Sequence, residues 1–297
     1  MIDILITIAL FNILIVLFKL FPKYKVDNLQ ALIVNYMTAG VLGFCFYQGD
    51  FSITEILNAN WLYHAIIIGV LFIVIFNFYA TGTQKVGVAI STVANKMSLV
   101  FPVAVALILY PDDKITAYKV IGFILALVGI YLTSTKGGKL SFDKKYLWII
   151  FIIFVGQGIA DTIFSDCTKL PGAAAQTELI FVVLFFFASL VGILMLGGKA
   201  IGKTKVKLKA KNILWGIAVG IPNYGSLFFM FKALNSSGLD TSEVYPVISM
   251  GAVLSSAIIG MFLFKEKLGK GNWIGIICAL LGIAIITFGK QLIDLIP

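Results

Sequence analysis

Apolar stretches of 18 or more residues recur from one end of the 297-residue chain to the other, and a helix of that length is what crosses a hydrocarbon core of about 30 Å. In such a core every backbone N–H and C=O must be bonded within the protein. These stretches therefore read as membrane-spanning helices. The chain is 60% apolar and 12% charged, against about half and about a quarter in soluble domains. No stretch is left over for a soluble domain.

The spans fall at Ile2–Leu20, Leu29–Tyr47, Trp61–Ala80, Val86–Leu109, Ala117–Thr135, Tyr146–Phe164, Ala173–Leu196, Asn212–Leu234, Glu243–Phe264 and Asn272–Phe288. Ile2 to Phe18 reads as the first helix and not as a signal peptide, because no basic region precedes it and no small-residue cleavage site follows. Short polar loops join the spans. The longest are Gln48 to Asn60 and a basic tether, Gly197 to Lys211, in which Gly197 and Gly198 are expected to end helix 7.

All 23 basic residues are lysines, and all but Lys96, which lies within a span, fall in or close to the loops. A nucleic-acid surface would cluster Arg and Lys with aromatics on a soluble scaffold, whereas loop lysines report orientation and contact with anionic lipid. Seventeen fall in the loops after odd-numbered helices, and five in the other loops and the C-terminal segment. The positive-inside rule then puts both termini outside.

The three cysteines, Cys45, Cys167 and Cys278, are widely spaced and signal neither a disulfide framework nor a metal site. His64 is the sole histidine, which excludes histidine metal clusters and His-dependent hydrolysis, and it reads as an interfacial residue. Asp112-Asp113 lacks the second acidic pair that metal-diphosphate chemistry needs. No Gly-rich Lys motif for phosphate is present, which argues against an ATP-driven pump. No cofactor is expected.

The two halves resemble each other. A shift of 153 residues sets Ile121–Ile130 beside Ile274–Ile283 with seven of ten positions identical, and pairs Asp113 with Glu266 and Lys114 with Lys267. Lys19-Leu20-Phe21-Pro22 echoes Lys169-Leu170-Pro171 more weakly. Five helices per unit is an odd number, so the second unit must enter from the opposite side. The expected architecture is therefore an all-α integral membrane protein of ten transmembrane helices, built as two inverted five-helix repeats. Residues 1–136 form the first, 137–145 a cytoplasmic linker and 146–297 the second. Inverted repeats are a recurrent device of secondary transporters.

Leu263-Phe264-Lys265-Glu266-Lys267-Leu268 followed by Trp273-Ile274-Gly275 and Gly282 resembles the drug/metabolite transporter superfamily, EamA-type, in having an acid, a short turn and a glycine-bearing last helix. Asp113 and Gly122 match in the first half. The resemblance covers the whole chain and implies two five-helix halves that transport or exchange small organic metabolites, commonly by ion coupling. It implies nothing about substrate identity, and in structural terms Glu266 is expected to cap or neutralise its loop. Family members more often resemble the reverse orientation, with both termini inside; the lysine count is followed here.

Polar residues inside the spans are the candidates for the site, since ionisable groups at bilayer depth face a cavity or a partner. On helix 4, Ser91 and Asn95 share one face, and Thr92 and Lys96 the neighbouring one. Lys96 lies ten residues into its span, about 15 Å deep, and is expected to pair with Asp161, Glu178 or Glu243 or to meet an anionic substrate group. Gln157 and Asp161 are four apart on helix 6. Glu178 lies early in helix 7, and Glu243 opens helix 9 ahead of Tyr245, as a charge site or as an acid complementing its helix dipole. Asn77 and Tyr79, with Asn223 and Tyr224, occupy comparable places in the two halves and could line one cavity or simply fix packing. Gly220, Pro222 and Gly225 are expected to loosen helix 8.

The expected partners are a small-molecule substrate and the lipid bilayer, with a homodimer open and no nucleic acid, in a bacterial-type inner (plasma) membrane. The alternatives are a membrane-embedded lipid-modifying enzyme, which would need a convergent catalytic set, and a channel.

Overall fold

The computed structural model describes residues 2–101, 104–105, 116–136, 139–140, 142–168, 170–201, 208–236 and 241–294. Eleven helices are described: α1 (Ile2–Leu20), α2 (Asn28–Phe46), α3 (Ile53–Leu57), α4 (Leu62–Lys85), α5 (Val88–Met97), α6 (Ala117–Ser134), α7 (Leu147–Thr168), α8 (Thr177–Ile201), α9 (Ala210–Ser236), α10 (Thr241–Phe264) and α11 (Lys270–Asp294). Among the described residues, seven helices are long and apolar enough to cross a membrane, and α6 and α11 contribute shorter apolar stretches. Among the described residues, the one extended element is a two-residue antiparallel ladder, in which Thr135 pairs with Leu140 after α6.

Several boundaries differ from the sequence expectation, each for a local reason. α4 continues to Lys85, with the Thr81 and Thr83 hydroxyls bonded back to the Asn77 and Ala80 carbonyls within the helix. α8 runs through Gly197 and Gly198 to Ile201; a glycine pair lowers helix propensity but breaks nothing unless a cap follows. The loop after α2 contains α3, started by Ser52, whose hydroxyl accepts the Glu55 amide at 3.3 Å. α10 begins at Thr241, two residues before Glu243.

The expected loosening of helix 8 is not where the break occurs. α9 is continuous through Pro222, and its glycines serve close approach instead: a Cβ on Gly216 or Gly220 would come within 2.7 Å of the Ala31 or Asn35 carbonyl of α2. The interruption falls in the first half. α5 stops at Met97, Ser98 and Leu99 form a turn, and helical residues resume at Val100, within what reads from sequence as one span.

The buried core forms two main clusters. The larger packs Phe18, Leu32, Tyr36, Trp61, Tyr79 and Phe185 among α1, α2, α4 and α8, and the second joins Val93 and Met97 of α5 to Ala126, Val253, Ala257 and Ala279. Large apolar side chains such as Leu5, Leu194 and Phe262 point outward. That distribution suits a lipid solvent.

The most extensive pairing is α6 against α11. A Cβ on Gly129 would lie 3.0 Å from the Gly275 carbonyl, and one on Gly282 would lie 3.0 Å from the Gly122 carbonyl. Gly122 and Gly129 are the counterparts of Gly275 and Gly282 at the 153-residue shift. The contact is therefore reciprocal, and since the later glycine of each helix meets the earlier one of the other, the helices run antiparallel. The first residues of two helix pairs keep the same spacing: Val88 with Thr241, and Ala117 with Lys270.

Candidate functional site

α5 is short, and most of its side chains are buried. The side chains four apart on it, Thr92 and Lys96, turn toward α1 and α4. The Lys96 ammonium lies 4.1 Å from the centroid of the Phe11 ring. The Tyr79 hydroxyl is 3.0 Å from Thr92 Oγ1, and the Phe11 and Tyr79 rings stack at 6.3 Å. A cation over an aromatic face gains about 0.5–2 kcal/mol, less than a carboxylate would give it.

No acid among the described residues lies within ion-pair distance of Lys96. The backbone supplies part of the compensation. Lys96 occupies the last turn of α5, where helix carbonyls carry a partial negative charge worth roughly half an electron.

The second face of α5 meets α7. Asn95 Nδ2 donates to Gln157 Oε1 at 3.0 Å, and Gln157 Nε2 donates to Asp161 Oδ1 at 2.7 Å. Ser98 Oγ, at the break, lies 2.9 Å from Asp161 Oδ2 and also within reach of the Asn95 carbonyl. One hydroxyl proton cannot serve both. Every partner is satisfied when Ser98 donates to the Asn95 carbonyl, which the break releases from helical bonding, and Asp161 holds a proton that it donates to Ser98.

Two polar atoms next in sequence to this cluster have no hydrogen-bond partner among the described residues: Ser91 Oγ and Asn12 Oδ1. Asn12 donates its amide to Ser255 of α10 at 2.8 Å, leaving its carbonyl oxygen as an unused buried acceptor. Buried polar atoms without partners are few in folded proteins.

Lys96, Asn95, Tyr79, Gln157 and Asp161 are thus brought together by α4, α5 and α7. Asn223 and Tyr224 form another group: Asn223 donates to Asn35 of α2 at 3.1 Å, and Tyr224 stacks on Phe46 at 5.9 Å. Glu178 stands in the first turn of α8. No hydrogen bond among the described residues joins the two groups. Asn77 lies about 200° around α4 from Tyr79, and its side chain makes no hydrogen bond among the described residues. Glu243 and Tyr245 belong to α10, but their side chains, like Asp112, Asp113 and Lys114, lie outside the described residues.

Sequence reading missed Phe11 and Ser98 as part of the cluster; an aromatic in an apolar helix carries no signal of its own, and Ser98 takes its place from the break after Met97. His64 pairs with the exposed Asp166 at 3.1 Å, at the end of α4 away from Lys85. Glu266 reaches well beyond its own loop, accepting the Val88 amide that opens α5 at 2.9 Å.

The sequence model of the EamA-like transporter family matches residues 1–135 and 172–288. A Haemophilus influenzae protein described as an uncharacterized protein is 26% identical over 284 residues, which span 94% of this chain and 94% of that one. A solved crystal structure superposes with a TM-score of 0.58 at 14% identity, covering 97% of this chain and 98% of that one. At that identity it speaks for the fold alone.

Proposed function

Because the chain belongs to the EamA-like transporter family, we propose that it is a secondary transporter, carrying a small organic metabolite across an inner (plasma) membrane by alternating access between two inverted five-helix repeats. The reciprocal, antiparallel packing of α6 on α11 supports the repeat, since two helices related by an in-plane twofold axis meet in that way. The Haemophilus influenzae relative supports a bacterial-type membrane.

One observation carries the binding site: Lys96 holds a half-buried cation over Phe11 with no carboxylate in contact among the described residues. Such an ammonium retains its demand for an anion. The transported molecule therefore bears an anionic group that Lys96 receives, with Phe11 and Tyr79 as its aromatic walls and the Asn12 carbonyl as an acceptor for a donor on the same ligand. Asn95, Gln157 and Asp161 hold α5 in place and supply a group that can take up or release a proton.

The test is a thermal-shift screen of the purified protein against small carboxylates, phosphates and sulfonates, since a ligand that binds only the folded state raises its apparent stability. A hit should stabilise the parent and Lys96→Arg but not Lys96→Met, and its transport should be lost with Lys96→Met. A Lys96→Met protein that folds, binds and transports like the parent overturns the assignment.

A further inference from the structure

Glu266 sits where three parts of the chain meet. Lys265 takes a positive φ of 54° after α10, so the Glu266 amide turns back to the Gly260 carbonyl at 2.9 Å. Its carboxylate then accepts the Val88 amide at 2.9 and 3.1 Å and the Lys19 ammonium at 3.0 Å. Lys19 also donates to the Thr83 carbonyl at 2.7 Å. One acid thus ties the last turn of α1, the corner between α4 and α5, and the loop between α10 and α11.

The surroundings are built for that carboxylate. A Cβ on Gly260 would stand 2.7 Å from Glu266 Oε2, and one on Gly87 would stand 3.3 Å from it. Gly87 also holds φ at 134°, a conformation side-chain-bearing residues rarely adopt. Glu266 and Lys19 are only 15% and 20% exposed. The pair is nonetheless at the rim of the helix bundle, where water can replace its partners if the helix ends part.

We propose that Glu266 is a positioning residue and releasable latch: it holds the N-terminus of α5, and through α5 sets Lys96, and its release opens the membrane face at which α1 and α4 end and α5 begins. This deepens the transport reading above, on which it rests for its purpose. The helix N-terminus offers unpaired N–H groups and partial positive charge, so a carboxylate is the one charged side chain that satisfies it while also pairing with Lys19. A carrier needs contacts of this kind, firm in one state and absent in the other, since an equilibrium shifts only by differences between its states.

The experiment reads opening rather than transport. In a chain whose three native cysteines are replaced by alanine, Ser91→Cys places a thiol one turn into α5 at a fully buried position, and its labelling by a water-soluble maleimide is timed in lipid nanodiscs. Glu266→Gln should label about tenfold faster than the parent, having lost the charge at the helix terminus and the ion pair. The exchanged pair Lys19→Glu with Glu266→Lys should stay equally fast, because a lysine cannot accept the Val88 amide even though the ion pair is restored. A slow, parent-like rate in either variant overturns the latch. If neither variant folds, hydrogen exchange of the unaltered protein decides: amides of Val88 to Ser91 should exchange through openings well short of global unfolding, and protection equal to that of mid-α4 overturns it. The labelling is read with no ligand present, so failure of the latch is told apart from failure of the substrate assignment, which the thermal-shift screen reads.

Discussion

Gly129 and Gly282, 153 residues apart, make the same contact from opposite helices: each brings its backbone against the glycine that is the counterpart of the other's partner. Enlarging either should therefore have the same effect. Gly129→Leu and Gly282→Leu should each destabilise the protein by about 1–3 kcal/mol, the range for overpacking a close contact. The double variant should cost less than the sum, because one separation of α6 from α11 relieves both clashes. Thermal unfolding in detergent measures all three.

Asp161→Asn should fold with nearly the parent melting temperature, since an amide can accept from Gln157 and donate to Ser98 as a protonated acid does. Asp161→Leu should cost about 1–3 kcal/mol, the penalty for leaving the Gln157 amide and Ser98 buried without partners. Infrared spectra check the proton itself: a carboxylic-acid carbonyl stretch present in the parent should vanish in Asp161→Asn.

Asn223 and Asn35 bond across α9 and α2 at 3.1 Å. A double-mutant cycle with Leu at each position should give a coupling of about 0.6 kcal/mol, the mean for polar pairs between membrane helices. Binding of any ligand found through Lys96 should be unaffected, because the two polar groups share no hydrogen bond among the described residues.

Both termini should face away from the cytoplasm, given 17 lysines in one set of loops and five in the other. A C-terminal alkaline phosphatase fusion should be active and a C-terminal green fluorescent fusion dark. The opposite pattern would reverse the orientation and put the Glu266 face outside.

Helix existence was legible wherever local chemistry decides it. α1 ends as expected at Leu20, followed by a turn with Pro22, and α6 begins as expected at Ala117. The candidate Lys96 was legible for the same reason, as a lone charge in an apolar run. What sequence could not disclose depends on partners far along the chain. The break after Met97 involves Ser98 meeting Asp161, 63 residues away, and the start of α5 is held by Glu266, 178 residues from Val88. Gly87 and Gly260 look like ordinary glycines until that carboxylate lies between them. Glu178 was a counter-ion candidate for Lys96 by charge alone; in the fold it stands in the first turn of α8 and forms no ion pair with Lys96 among the described residues.

The end of α5 one residue beyond Lys96 has a consequence for speed. A lysine fully neutralised by a buried acid would have little use for a passing anion, and one with no compensation would grip it and let go slowly. Each 1.4 kcal/mol removed from binding shortens the bound lifetime about tenfold when association is unchanged. If Lys96 receives an anion as proposed, a backbone that supplies part of the counter-charge permanently would keep affinity moderate, and so favour rapid turnover over tight capture.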